Sequence, residues 1–279
     1  MALKRPGYRF GMPFLLETKT LAEAFSLASA LGLDFIELNS NFPQCQLGLL
    51  QPDVLKKAAA DYGLFFTLHL DDALNVCDFN HLVREAYVET VLQAVRLAKA
   101  AEIPVINLHL AKGNIVTLPD GKHYLFEAFE EDFLEAMAEF RDRAAEEAGD
   151  SGVRLSFENT DGWEDYERRA VELALESEVF GLCLDIGHNH AADDRDLPFF
   201  MAHKDRLIHM HAHDGKGKVN HQALGSGEIP LYDRLNLARE ADATVVLETK
   251  TVEALTSSVK WLNKRAELLP DDIPDQATN

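Results

Sequence analysis

Eight short runs of β-branched, aromatic and aliphatic residues recur along the chain, each followed by a longer stretch of helical periodicity. The runs fall at 8–13, 35–39, 64–70, 105–110, 154–159, 181–187, 207–214 and 244–250. Helical patterns cover 21–31, 52–62, 81–101, 126–148, 166–177, 197–203, 231–240 and 252–262. Within 81–101, Leu82, Ala86, Val91, Leu92, Val95 and Ala98 follow the period of one buried helix face. Strands separated by helical crossovers pair in parallel, and a parallel sheet must be covered by helices. Eight such units in a chain of 279 residues match the size of a closed (β/α)₈ barrel. An open doubly wound sheet usually carries a glycine-rich loop after its first strand. Here the first run ends in Met12-Pro13-Phe14-Leu15-Leu16. The sequence therefore predicts an α/β protein, a single (β/α)₈ TIM barrel over residues 1–268. The Pro-rich acidic segment 269–279 is expected to be a flexible tail outside it.

Charge narrows the class of partner. Asp plus Glu number 47 against 27 Lys plus Arg, a formal net charge of −20. That balance opposes a protein whose main task is gripping nucleic acid, where phosphate contacts dominate affinity, and it opposes an anionic membrane surface. No apolar run approaches the roughly 20 residues of a membrane span. The opening MALKRPGYRFGM lacks the apolar core of a secretory signal. Cys45, Cys77 and Cys183 are odd in number and not closely paired, so a disulfide framework is not expected. A cytoplasmic location follows as the expectation. Homo-oligomerisation is left open.

The ionisable residues fall where the strands end. His69 closes the third run and His109 the fourth. Glu158 closes the fifth, and Asp185, followed by His188, closes the sixth. His209, His211 and His213 alternate along the seventh, His221 lies in the loop beyond it, and Glu248 ends the eighth. In a parallel barrel these ends converge on one face, where active sites form. Period two puts the three seventh-strand histidines on one side, opposite Ile208 and Met210. Carboxylates brought that close repel unless a cation intervenes. Mixed imidazole and carboxylate sets suit zinc, manganese or similar divalent ions, one or two per chain. His209, one period deeper, reads either as a core histidine or as a partner of a ligand. His81, His123, His190 and His203 lie in loops or helices and read as surface or packing residues.

Taken together, SFENT at 156–160, LDIGH at 184–188, HAHD at 211–214, HQALGSGEI at 221–229 and LETK at 247–250 resemble the xylose isomerase-like TIM-barrel superfamily. This superfamily holds sugar and sugar-phosphate isomerases and epimerases as well as endonuclease IV-type AP endonucleases. The resemblance implies four metal ligands, Glu158, Asp185, His211 and Glu248. It implies that Glu158 and Glu248 also act as acid and base, and that His188 contacts substrate. In the endonuclease branch His69 and His109 would complete a second metal site, and His188, an aspartate and His221 a third. That aspartate position is Val219 here, and the loop NSNFPQCQLG after the second run carries no basic residue. Both departures favour the isomerase and epimerase branch.

The implied activity is isomerisation or epimerisation of a sugar, sugar phosphate or related hydroxy-carbonyl compound, by glutamate-mediated proton transfer through a metal-stabilised enediolate. The alternative is a metal-dependent phosphodiester hydrolase of the AP endonuclease kind. Lys112, Lys216, Lys218 and Lys250 follow the fourth, seventh and eighth runs and would offer cations to a substrate phosphate or carboxylate, with His188 and His221 as further substrate contacts. The partner expected is thus a small carbohydrate-like molecule. Gly225 and Gly227 read either as turn residues or as places where backbone approaches a ligand.

Overall fold

The computed structural model describes residues 7–265. Eight strands close a parallel barrel: β1 (Arg9–Pro13), β2 (Phe35–Asn39), β3 (Phe65–His69), β4 (Val105–His109), β7 (Arg154–Glu158), β8 (Phe180–Asp185), β9 (Leu207–Ala212) and β12 (Thr244–Leu247). Their order around the ring is β1-β12-β9-β8-β7-β4-β3-β2. The expected α/β barrel is therefore the observed one. Helices α1 (Leu21–Leu31), α2 (Pro52–Tyr62), α3 (His81–Ala101), α5 (Glu130–Ala148), α6 (Asp165–Ala174), α8 (Leu197–Ala202), α9 (Leu231–Glu240) and α10 (Val252–Lys264) form the outer layer. The tail 269–279 lies outside the described residues. Among those residues no helix is long and apolar enough to cross a membrane.

The core lies between strands and helices. Phe10, Phe66, Phe157 and Phe180 are almost wholly buried, and so are Phe133 and Phe140 of α5. Phe157 stacks on Phe180 at 5.8 Å, and Phe140 meets Phe180 edge-on at 5.7 Å. Burying one such ring contributes about 2–3 kcal/mol.

Four features depart from the pattern read in the sequence. The helix expected at 126–148 is broken at Phe129, whose φ of −124° and ψ of 53° are not helical, into α4 (Leu125–Ala128) and α5. A hairpin, β5 (Ile115–Leu118) with β6 (Gly121–Tyr124), precedes α4 and stands outside the barrel. A second hairpin, β10 (Asp214–Lys216) with β11 (Val219–Gln222), begins just past β9, so the seventh run ends at Ala212. The sixth run also ends early, at Asp185, because that side chain accepts a hydrogen bond from His188 N at 2.6 Å and starts the short helix α7 (Ile186–Ala191).

Register sets the layout of the barrel mouth. Glu158 pairs with His109 on one side and Cys183 on the other, and Asp185 pairs with His211. Asn39 pairs with His69, and His69 with Asn107. Strand ends that were scattered in sequence thus become neighbours on one rim.

Candidate metal centre

Glu158, Asp185, His211 and Glu248 each offer one ligand atom, and these atoms lie within 4.8 Å of one another. Nδ1 of His211 is their meeting point. It lies 3.1 Å from Glu158 Oε1, 3.5 Å from Glu248 Oε2 and 3.9 Å from Asp185 Oδ2. None of these approaches is a hydrogen bond: His211 Nδ1 and Glu248 Oε2 are buried atoms with no hydrogen-bond partner. Buried polar atoms are ordinarily satisfied. Three carboxylates and an imidazole nitrogen turned toward one point, with two atoms unpartnered, fit a divalent cation with nitrogen and oxygen ligands.

Each of the four side chains is held from behind. Glu158 Oε2 accepts from Asn107 Nδ2, and Asn107 Oδ1 accepts from Ser156 Oγ at 2.8 Å. Asp185 accepts from the His188 backbone at one oxygen, and His213 Nε2 lies 3.0–3.1 Å from both. His213 Nδ1 in turn accepts from His221 N at 2.8 Å. A nitrogen that accepts carries no proton, so Nε2 is the protonated nitrogen and donates to Asp185. His221 makes that bond from a left-handed backbone, φ 55°, which is uncommon for a residue with a side chain. Lys250 Nζ lies 2.7 Å from Glu248 Oε1.

The charges compensate one another. Burial alone would raise the carboxyl of Glu158, but the facing rings of His211 and His109 hold it well below the ordinary carboxylate range. Burial opposes ionisation of Glu248 too, and His211, Lys250 and His213 reverse the sign. Burial lowers His211, and Glu158, Cys183 and Glu37 together push it well above the usual imidazole value.

His69 and His109 reach the same cluster from the other side. Their Nε2 atoms lie 3.4 and 3.6 Å from Glu158 Oε2, and both Nδ1 atoms are 3.9 Å from Asp72 Oδ1. His69 Nδ1 donates to Leu70 O at 2.7 Å. Despite the penalty of burial, Glu158 lifts His69 to about 9. His188 stands at the rim, its ring 5.2 Å from that of His221, with Nδ1 accepting from Asn220 Nδ2 at 3.3 Å. His221 Nδ1 is 3.6 Å from Glu248 Oε2, and burial holds its ring down at about 4.

The lysines divide. Lys250 touches Glu248, whereas Lys112 is tied to Asp161 Oδ1 and Gly162 O, each at 2.9 Å. Lys218 contacts Ala191 O and lies 3.6 Å from Asp193, and Lys216 is exposed. Gly225 and Gly227 are needed by packing. A Cβ on Gly225 would sit 1.8 Å from Trp261 Nε1, and one on Gly227 would sit 2.2 Å from Gly215 O. Their amides, with those of Gly215 and Ile229, donate to the buried carboxylate of Asp214, which fixes this loop.

Two groups of consequence were not assigned from sequence. Glu37 of β2 is 1% exposed and lies between His209 and His211. The signal was a lone glutamate in the apolar run FIELN, two residues short of the strand end. His213 was seen in the alternating pattern, but its link from His221 to Asp185 needs the hairpin to be folded.

The family model described as the xylose isomerase-like TIM barrel matches residues 25–265. No curated protein matches the chain by sequence. Among solved structures, the chain is similar to a D-tagatose 3-epimerase-like protein, with TM-score 0.77 and 20% identity over 94% of this chain and 98% of that one. It is similar to a 3-keto-D-glucoside 4-epimerase from E. coli, with TM-score 0.73 and 16% identity over 92% and 99%. It is also similar to an IOLI protein with a bound zinc atom, with TM-score 0.72 and 14% identity over 95% and 100%. At these identities the likeness is one of fold.

Proposed function

The chain belongs to the xylose isomerase-like TIM barrel family, and from that premise we propose that it is a divalent-metal-dependent isomerase or epimerase of a sugar or related hydroxy-carbonyl compound. The observation that carries this reading is the buried convergence of Glu158, Asp185, His211 and Glu248 on one point with two unpartnered atoms. Two of the structural neighbours bear epimerase names, and a third holds zinc, which agrees with it.

Glu158, Asp185, His211 and Glu248 would hold the cation, zinc or manganese by their donor types. When bound there it supplies a Lewis acid that polarises a substrate carbonyl and lowers the pKa of the adjacent C–H. The chain's own groups then move the proton. Glu248 is the more open of the two glutamates, at 14% side-chain exposure against 2% for Glu158. We assign it the first abstraction. Glu158, pinned by Asn107 and flanked by His69, is assigned proton return from the other side of the substrate carbon. Two carboxylates permit loss on one face and return on the other, which is what epimerisation requires. His188 and His221, at the rim, would orient substrate hydroxyls, and His211 with Lys250 favours the anionic form of Glu248.

A second reading has one observation in its favour: His69 and His109 approach Glu158 Oε2 closely enough to form a second cation site, as a phosphodiester hydrolase would need. Against it, Val219 is 60% exposed where a carboxylate is wanted, and the neighbouring cluster His188, His213 and His221 is all imidazole.

The purified protein should carry one or two equivalents of a transition metal and incorporate solvent deuterium into a ketose from a panel. Glu158→Gln and Glu248→Gln should each abolish that exchange, whereas His81→Asn should not. Protein that neither holds nor binds metal refutes the reading. Cleavage of abasic DNA without deuterium incorporation replaces it with the second.

A further inference from the structure

Below the rim, one carboxylate serves two histidines of the same strand. Glu37 Oε2 lies 2.8 Å from His209 Nε2, and Oε1 lies 2.9 Å from His211 Nε2. Thr67 Oγ1 donates to Oε2 at 3.4 Å. Residues 209 and 211 share a face of β9, so a single side chain from across the barrel spans both. His209 Nδ1 meets the Thr244 hydroxyl. An ionised carboxylate can only accept, so His209 donates to Glu37 from Nε2. The second carboxylate oxygen is left for His211. It stands at ion-pair distance but off the ring N–H direction, since His211 Nε2 forms no hydrogen bond as it stands.

We infer that Glu37 is a positioning residue for the metal centre: it takes the distal nitrogen of His211 and so leaves Nδ1 as the nitrogen offered to the point shared by Glu158, Asp185 and Glu248. The inference rests on the reading that those residues hold a cation. Ligating histidines commonly donate their other nitrogen to a carboxylate, which fixes ring tautomer and orientation. Two features of Glu37 fit that part. It is buried without any Lys or Arg contact among the described residues, so its charge answers only to imidazoles. Stability alone does not favour such a group, because apolar residues of similar volume are often neutral or better in its place.

The test is Co²⁺ binding by chelator competition, on wild type, Glu37→Gln, and Phe140→Leu as a core-destabilised control. Glu37→Gln should weaken Co²⁺ binding about 10–100-fold and alter the visible d–d band, while Phe140→Leu loses thermal stability and keeps the wild-type Kd. Should Glu37→Gln not fold, selectively ¹⁵N-histidine-labelled wild type loaded with zinc gives an independent readout. There His211 should keep its proton on Nε2 and show the metal-induced shift at Nδ1. A folded Glu37→Gln with wild-type affinity and spectrum, or zinc on Nε2 of His211, overturns the inference. Wild type that binds no Co²⁺ overturns the metal reading itself, and the inference with it.

Discussion

Glu167 offers a quantitative test of the loop that follows β7. This loop carries Asn159, which brackets the Asp185 backbone through Asp185 N–H and C=O, and Asp161, which holds Lys112. The loop runs into α6 through a reciprocal cap. The Glu164 side chain accepts at the third helical position, and Glu167 Oε2 accepts from Glu164 N at 2.8 Å. Glu167 is fully buried and its Oε1 has no partner. Burial therefore outweighs the cap and Lys112, and lifts the carboxyl from 4.5 to about 7. A carboxyl raised on folding favours the folded state while it keeps its proton. That stability is fully present below about pH 4.5 and is lost as pH rises through about 7. The full loss is about 3 kcal/mol, of which about 2 kcal/mol falls between pH 5.5 and 8. Glu167→Gln keeps the capping oxygen and cannot ionise. Urea unfolding of both proteins at the two pH values, with chelator present, gives the difference directly. Relative to wild type, the variant should gain about 2 kcal/mol on going to pH 8. A difference that stays constant from pH 5.5 to 8 would mean that folded Glu167 is ionised throughout, and the burial argument would fail.

His213→Asn removes the N–H that Asp185 receives and should weaken zinc binding about tenfold, read by chelator competition. Gly225→Ala meets both a Trp261 clash and a φ of +81°, and should cost about 3 kcal/mol or more in chemical denaturation. Gly63→Ala, with φ +67° and open space around it, should cost about 1–2 kcal/mol; equal losses at the two glycines would contradict the packing assigned to Gly225. Chelation of the metal-loaded protein should lower its thermal midpoint in proportion to the binding free energy, about 4 kcal/mol at a thousand times Kd. A midpoint insensitive to chelator would speak against a site built into the folded barrel.

The barrel was legible because its strands are covered by helices and read as nearly continuous apolar runs, as in Val105–His109 and Phe180–Asp185. The pool of ionisable residues at the strand ends was legible from the runs, whereas the choice of Glu158, Asp185, His211 and Glu248 from that pool came from the family resemblance. What stayed hidden had no such signature. The β5–β6 hairpin is short and Ile115, Val116 and Leu118 are exposed, so no burial pattern marks it. Helix α7 begins inside the same run as β8, and only the Asp185 cap separates them. Glu37 meets His209, 172 residues away in the chain, a contact no local pattern reports. For the lysines, position after a strand end revealed proximity to the rim but not the acceptors that hold Lys112 and Lys218.

Glu158, Asp185 and His211 stand on three adjacent staves, and Glu248 follows the last strand to be made, the one that also pairs with the first. The set of four is thus complete only when the ring has shut. A bound ion would act there as a clasp, gripping the seam between the late strands, and any chain whose final strand had not docked would be left with three quarters of a site. Metal occupancy in a preparation would then double as a measure of how many barrels have closed.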